Sequence, residues 1–520
     1  MKRLIIILIF ITILCPVFSF DVELSLLPQY DIYLNSNLDN YFSGTASFDL
    51  MPFTIRSRDK IVISLQGGAS SLQAQTMSRT GLYFADIAAG YNFRINDRLE
   101  TSFSAYGGVW KLGVETTDKS LKESGILAGG RLGLDFYLRP EIKIGLFTGF
   151  TDFIYKPNHF AKKIDAGLSV RYNINKGLFS KSKIELEEIA AEPIFPVFYS
   201  YYYDNSFGSA YFYNGEENTI TNVKVYIFIE EYMTVPSLCG FIGKVKPGET
   251  FESELTAFLN EKILTSFSSH DVDAKLTVTY NSLGKLYSYE KTVRLTALSR
   301  NSMSWADDRR ASAFVSVHDG TAGKIAKLSK SVILKNPTKD ATQNISFARG
   351  IFAALKTYGL SYVKDPANGF YVEGETIDFL QFPFQTLVYH GGDCDDLSIL
   401  NCALLESIGI QTAFVTIPGH IFIAFDSGVT PEEAPELLKK TRYVIYNDVV
   451  WIPYEITLIQ QSFNLALETG YTQINKALAD GTAQIYPLHD SWELFKPVSV
   501  PESDTDIALP AVQDIIKNLN

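Results

Sequence analysis

Between residues 21 and 178 the chain alternates, one residue apolar and the next small or charged. Ile164, Ala166, Leu168, Val170, Tyr172 and Ile174 fall on one side of an extended strand, and Asp165, Gly167, Ser169, Arg171 and Asn173 on the other. Tyr83 to Tyr91 repeats the pattern, as does Leu127 to Leu138, where Leu132, Leu134, Phe136 and Leu138 oppose Arg131, Gly133, Asp135 and Tyr137. A period of two belongs to strands, because successive side chains point to opposite faces. About eight such segments of ~10 residues are separated by turn signals, among them Arg56-Ser57-Arg58-Asp59, Asn96-Asp97 and Lys156-Pro157-Asn158. A soluble β-sandwich or lipocalin-like barrel would turn the apolar face inward and leave a glycine-rich surface with little to keep it in solution. A small barrel of the outer-membrane kind does the reverse, facing lipid with the apolar side and packing Gly, Ser and paired charges inside. The alternation therefore predicts an antiparallel transmembrane β-barrel of about eight strands over 20–178. A barrel of that size is filled by its own side chains, which argues against a wide pore.

The start of the chain agrees with export. Met1-Lys2-Arg3 is basic, and Leu4 to Val17 is an apolar stretch shorter than a membrane span. Val17 and Ser19 sit at −3 and −1 of a cleavage site after Ser19, so 1–19 reads as a signal peptide. Cys15 follows Leu14 where a lipidation motif needs a small residue, which favours a cleaved leader over a lipid anchor. No later run of about 20 apolar residues provides a membrane helix. With 46 Lys and Arg against 58 Asp and Glu, the net charge of −12 excludes a dominant nucleic-acid role. Four cysteines exclude a disulfide scaffold. No Cys/His set has zinc spacing and no glycine loop reads as a nucleotide fingerprint, so neither metal nor cofactor is expected. An even-stranded barrel returns both ends to one side, and its short turns face the periplasm, which places the rest of the chain there.

After a charged linker at Lys181 to Ile189, residues 191–300 again read as short strands, such as Val223 to Ile229 and Ala274 to Tyr280. Their spacing suggests an immunoglobulin-like β-sandwich, without a disulfide because only Cys239 lies there, and with spacing or docking as its job. From 301 to 497 the texture becomes mixed α and β. Ile345 to Tyr358 and Asp396 to Ile408 carry apolar residues at helical spacing. Ala413 to Ile417 and Ile421 to Phe425 read as strands, and Tyr443 to Tyr446 with Val449 to Tyr454 as a hairpin across Asn447-Asp448. A further helix is expected from Gln461 to Leu467, and 498–520 reads as a loose tail.

The chemistry gathers around Gly391-Gly392-Asp393-Cys394-Asp395-Asp396, just before the second of these helices. A cysteine at a helix N-terminus meets the dipole and unpaired N–H groups, which favour thiolate and can hold an oxyanion. The flanking aspartates oppose the thiolate by charge but suit a helix start. His420, after Pro418-Gly419 at the head of a strand, can face that thiol, and Glu455, set among Trp451, Pro453 and Tyr454, can orient the imidazole. Asp448 is the reserve acid, though its place reads as a turn. Gln381 and Gln385 are alternative oxyanion donors, His390 a loop histidine, and Cys402 a core residue about 12 Å of helix rise from Cys394. That separation is too great for a disulfide and leaves the thiol free. Trp305, Asp307 and Asp308 read as a domain junction, and acidic Pro431-Glu432-Glu433 as a lid or an insertion.

Gly-Asp-Cys before a helix, a strand-opening His, and a strand ending Trp-x-x-x-acid-x-Thr together resemble the transglutaminase-like cysteine fold (papain-like, α+β). The resemblance covers about 310–490. It is closer to a bacterial subgroup of exported proteins of unsettled function, through Trp305-Ala306-Asp307-Asp308-Arg309, Gly392 to Ser398, Pro418 to Phe422 and Pro453 to Thr457. In that family the order is Cys, His, Asp. The resemblance implies Cys394 as nucleophile, His420 as base and Glu455 at the place of the Asp. Glu for Asp shifts the carboxylate by about one bond length, and the stretch between His420 and Glu455 is long. The family contains proteases, amide hydrolases, cross-linking enzymes and inactive binding members. The reading that follows is a cell-envelope protein with a thiol-dependent amide hydrolase or transamidase acting on peptides, peptidoglycan peptides included. The alternatives are a catalytically inactive peptide- or wall-binding tether and a role in transport or adhesion centred on the barrel.

Overall fold

The computed structural model describes residues 21–519 except 35–38, 56–57, 73–78, 116–119, 157, 365–369 and 373–374. The expected leader, Cys15 included, lies outside the described residues. The first eight strands run β1 Asp21–Tyr33, β2 Tyr41–Ile55, β3 Asp59–Leu72, β4 Arg79–Arg94, β5 Leu99–Glu115, β6 Ser120–Arg139, β7 Ile142–Tyr155 and β8 Asn158–Asn173. Each pairs antiparallel with the next, and β1 pairs with β8, so the sheet closes into a barrel with no free edge.

The two faces divide as the alternation requires. Leu26, Leu132, Leu146 and Leu168 point outward and are 57–63% exposed, an apolar exterior with no protein partner. Their neighbours point inward and carry charge: Lys163 pairs with Asp31 at 3.0 Å, Lys143 with Glu100 at 2.8 Å and Glu23 at 2.9 Å, and Arg171 with Asp135 at 3.2 Å. Charges shut away from water persist only when paired. Inward glycines make room for the large rings. A Cβ on Gly129 would lie 2.5 Å from the Tyr106 ring and 2.4 Å from the Phe150 carbonyl oxygen. The space left beside Tyr106, Arg131 and Lys163 is about 10 Å³, roughly what one water needs. At that level the barrel is plugged by its own side chains.

A short helix α1, Ile174–Leu178, closes the end of the barrel, capped by the Asn173 side chain. Two antiparallel sheets follow. One joins β9 Ile184–Ala191, β10 Gly208–Asn214 and β13 Thr250–Glu254; the other joins β11 Ile220–Phe228, β12 Ser237–Val245, β14 His270–Ser282 and β15 Lys285–Ala297. Most of the stretch expected as a charged linker is β9. Its glutamates face solvent while Ile184, Leu186 and Ile189 pack on the core, which is enough burial to hold a strand despite the charge. The turn after β10 binds the barrel. Glu217 there pairs with Lys176 at 2.6 Å, Lys183 at 3.5 Å and Lys60 at 3.8 Å. Burial alone would raise the Glu217 carboxyl, but the three ammonium groups hold it well below the usual range. Arg94 donates to Asn218 at 2.7 Å, and the Thr219 N–H donates to Asp97 at 3.2 Å.

The C-terminal unit places helices α2 Gly320–Lys335, α3 Gln343–Tyr358, α4 Pro383–Tyr389 and α5 Cys394–Ser407 against a five-stranded antiparallel sheet. That sheet contains β16 Thr412–Ile417, β17 His420–Asp426, β18 Val444–Tyr446, β19 Val449–Tyr454 and β20 Gln484–Pro487, in the order β18-β19-β17-β16-β20. Helix α6, Phe463–Ala479, lies between β19 and β20 in the chain and is far longer than the turn or two expected. In α5, Leu397, Leu400, Leu404 and Leu405 are fully buried, each contributing about 1.5–3 kcal/mol. Asn447 and Asp448 both take positive φ, the two-residue hairpin that the sequence suggested. One hydrophobic core runs through the two-sheet unit and the C-terminal unit together.

Within the expected tail 498–520, the described residues 498–519 are not loose. Val498 and Val500 are buried, Glu502 pairs with Arg300 at 3.0 Å, and Thr321 donates to the Thr505 carbonyl. It ends in helix α7, Val512–Lys517, which buries Ile515 against the C-terminal unit. Its polar composition hid these few anchoring apolar residues.

Candidate functional site

His420 is placed by a tight turn. Ile417 and His420 are paired across Pro418-Gly419, and Gly419 takes φ 72°, the left-handed geometry such a turn needs at its second central position. The ring then stands at the head of β17 with Nε2 2.7 Å from Glu455 Oε2. Glu455 follows β19 directly and caps the next turn. It accepts from the Thr457 N–H at 3.1 Å and from Thr457 Oγ1 at 2.5 Å. Its side chain is 2% exposed against 23% for His420, so the carboxylate is shut from water behind the imidazole. Burial alone would raise the Glu455 carboxyl, yet the His420 and Thr457 contacts hold it below the usual range. An ionised Glu455 accepts the Nε2 proton, which leaves Nδ1 as the basic nitrogen.

Cys394 opens α5, with Asp393 at the cap position. It lines one cavity of about 370 Å³ together with His420, Gly419 and Ile421. The three residues predicted from sequence are thus brought together: Cys394 and His420 share the cavity, and Glu455 stands behind His420. The thiol is not the ready thiolate that a helix start suggests. Burial, and then the Asp395 and Asp393 charges, push it up to about 12. The backbone N–H groups of Ile421 and Cys394 favour thiolate and are outweighed. Burial also holds Asp395 well above the usual carboxylate range, reinforced by its hydrogen bond to Asp393.

Other candidates have different work. Gln381 binds Asp396 through its N–H at 2.7 Å and Nε2 at 2.5 Å. Gln385 accepts from Asn301 and from the Phe382 N–H at 2.8 Å. Both support the loop before α5, and neither lines the cavity. Gly392 leaves room for Asp396 rather than for a substrate, since a Cβ there would lie 2.4 Å from the Asp396 side chain. His390 ends α4 and stacks on Tyr358. Asp448 is a turn residue, and Cys402 is buried in α5. Pro431-Glu432-Glu433, expected in a lid or an insertion, contribute no wall to the cavity, and the stretch that follows them buries Ala434 and Leu438. Asp393, Asp395 and Asp396 bring carboxylate oxygens within 4.8 Å of one another. With both Asp396 oxygens held by Gln381, the cluster acts as a helix cap.

Trp305 and Asp308, expected at a domain junction, are also cavity walls, as is Asp378. Trp305 Nε1 donates to Asp378 Oδ2 at 2.8 Å. The Trp-Ala-Asp-Asp-Arg motif was a signal for the first two. Asp378 carried none, because only the pairing of Ser302–Ser304 with Glu375–Phe379 brings it there.

Fold and site together define a class: a closed barrel with an apolar exterior, joined through a two-sheet unit to an α+β unit that holds a Cys-His-Glu constellation. No known family matches the chain, and no curated protein does. Among solved structures it is similar to neisserial surface protein A, at 12% identity over 29% of this chain and 96% of that one, TM-score 0.24. It is also similar to Ail, the attachment invasion locus protein of Yersinia pestis (14%, 30% and 97%, 0.24). A third is the N-terminal β-barrel domain of Pseudomonas aeruginosa OprF (12%, 29% and 97%, 0.21).

Proposed function

We propose that this chain is an outer-membrane protein whose barrel anchors a transglutaminase-like, thiol-dependent amide hydrolase or transamidase in the periplasm, with an immunoglobulin-like sandwich as spacer. Membrane placement is supported by the barrel's apolar exterior and paired charged interior. Catalysis is supported above all by one observation: His420 is clamped to buried Glu455 at 2.7 Å while opening onto the cavity that holds Cys394.

In the proposed mechanism His420 Nδ1 takes the Cys394 proton, and the sulfur attacks an amide carbonyl of an envelope peptide. The backbone N–H of Cys394, at the helix start, is the proposed donor to the developing oxyanion. The imidazolium, held by Glu455, then protonates the leaving amine. Water or a second amine resolves the thioester and frees the thiol. The high resting position of the thiol requires this transfer to His420, since the sulfur does not ionise alone at neutral pH.

The same high position favours a second reading, a binding tether with an inert thiol. Alkylation of Cys394 by iodoacetamide across pH separates them, using the full chain in detergent with Cys239→Ser. The enzyme reading expects a rate plateau reaching to neutral pH that His420→Ala abolishes. A rate that climbs steadily to high pH, with or without His420, leaves the tether.

A further inference from the structure

The cavity beside Cys394 is one-sided in charge. Asp308, Asp378, Asp393 and Asp395 line it, and no Lys or Arg does among the described residues. The nearby guanidinium groups bind residues that do not line the cavity. Arg309 is bound to Asp307 at 2.6 Å, and Arg310 donates to Ser304 Oγ at 3.0 Å. Among the described residues Asp378 receives only neutral donors, Trp305 Nε1 at 2.8 Å and the Phe379 N–H at 2.9 Å, and no ion pair. Asp308 has no hydrogen-bond or ion-pair partner among the described residues, and it borders a second cavity of about 460 Å³ as well as the first. Trp305 adds an aromatic wall next to these two carboxylates.

Carboxylates beside an indole ring are what receive an ammonium group, by ion pairing and by attraction to the ring face. We infer that the substrate of this cleft carries a positively charged primary amine, received by Asp308 and Asp378 against Trp305 while the reacting carbonyl lies at Cys394. The inference rests on the thiol-enzyme reading for its chemistry and on the cavity alone for its charge preference.

Its test reads charge preference without turnover. The full chain carrying Cys239→Ser is treated with two methanethiosulfonates of similar size, one ending in an ammonium and one in a sulfonate. The Cys394 sulfur bonds to the reagent's sulfenyl sulfur, methanesulfinate leaves, and the thiol proton passes to solvent. Rates are divided by those of β-mercaptoethanol, which cancels intrinsic reactivity. An acidic lining of this kind favours the cationic reagent by about tenfold or more. Asp308→Asn, which breaks no hydrogen bond, lowers that ratio by about threefold, and Asp308→Asn with Asp378→Asn nearly abolishes it. A ratio equal to that of the free thiol, a ratio unmoved by either variant, or a Cys394 that neither reagent reaches overturns the inference. Protection of Cys394 from a neutral reagent identifies the source: a lysyl tripeptide alone protecting means a peptide-borne amine, and putrescine protecting too means a free amine. Protection by neither counts against the proposal. Failure of the enzyme reading is seen separately, in a pH profile indifferent to His420.

Discussion

Replacing Glu455 by Gln tests whether the buried carboxylate drives proton transfer at the thiol. The substitution preserves shape, and the amide oxygen can still accept from Thr457 at the place where Oε1 now does. What changes is the partner of His420. A carboxylate accepts the Nε2 proton at 2.7 Å, whereas an amide group turned that way presents N–H to N–H. A hydrogen bond to a charged group is worth about 1.5–3 kcal/mol, so the thiolate–imidazolium pair should fall about 10- to 150-fold in population at neutral pH. Iodoacetamide alkylation of Cys394 near pH 7 should slow by that factor, while the limiting rate at high pH stays unchanged. The substitution also has a pH signature in stability. Glu455 is held below its usual range in the fold, so its contribution is present above the unfolded value of about 4.3 and is lost as pH falls through the lower folded value. The thermal midpoint of Glu455→Gln should lie below that of the parent at pH 7, and the gap should close as the medium is acidified below about pH 4. An unchanged alkylation rate at pH 7, with the midpoint gap constant across pH, refutes the assignment of Glu455 as the group that orients and charges His420.

Leu168 sits on the outer face of β8, opposite Leu146 of β7. Leu168→Arg should cost about 2–4 kcal/mol of barrel stability in lipid vesicles, read as a lower urea midpoint; no loss would mean that this face does not meet hydrocarbon. At the junction, Glu217→Ala leaves Lys60 and Lys176 facing each other without their shared carboxylate. Breaking a buried pair in this way costs about 3 kcal/mol. Tryptic cleavage at Lys181 and Lys183 should accelerate in that variant, and an unaltered digestion rate would show that the barrel and the two-sheet unit are joined by other contacts.

How much of this was legible in the sequence depends on the range of the interaction that fixes each feature. The barrel's alternation is a local code, and Asp165, Ser169 and Leu168 fall on the faces their positions assign. Cys394, His420 and Glu455 could be singled out because each follows a short motif that sets its own backbone: the helix start at Cys394, the Pro418-Gly419 turn and the end of β19. The walls of the cleft were illegible for the opposite reason. Trp305 and Asp378 lie more than seventy residues apart and meet only through a pairing that no local pattern announces. The thiol's resting state was misjudged because a helix start is only one contribution, and burial with two flanking carboxylates overrides it. Those carboxylates gain a rationale once the cleft is considered as a whole. A cation bound at Asp308 and Asp378 lowers the thiol by the same Coulombic attraction whose reverse, from Asp393 and Asp395, now raises it. On the proposed reading, substrate charge and nucleophile activation then become one event, the bound amine offsetting the carboxylates that add to the effect of burial on the sulfur.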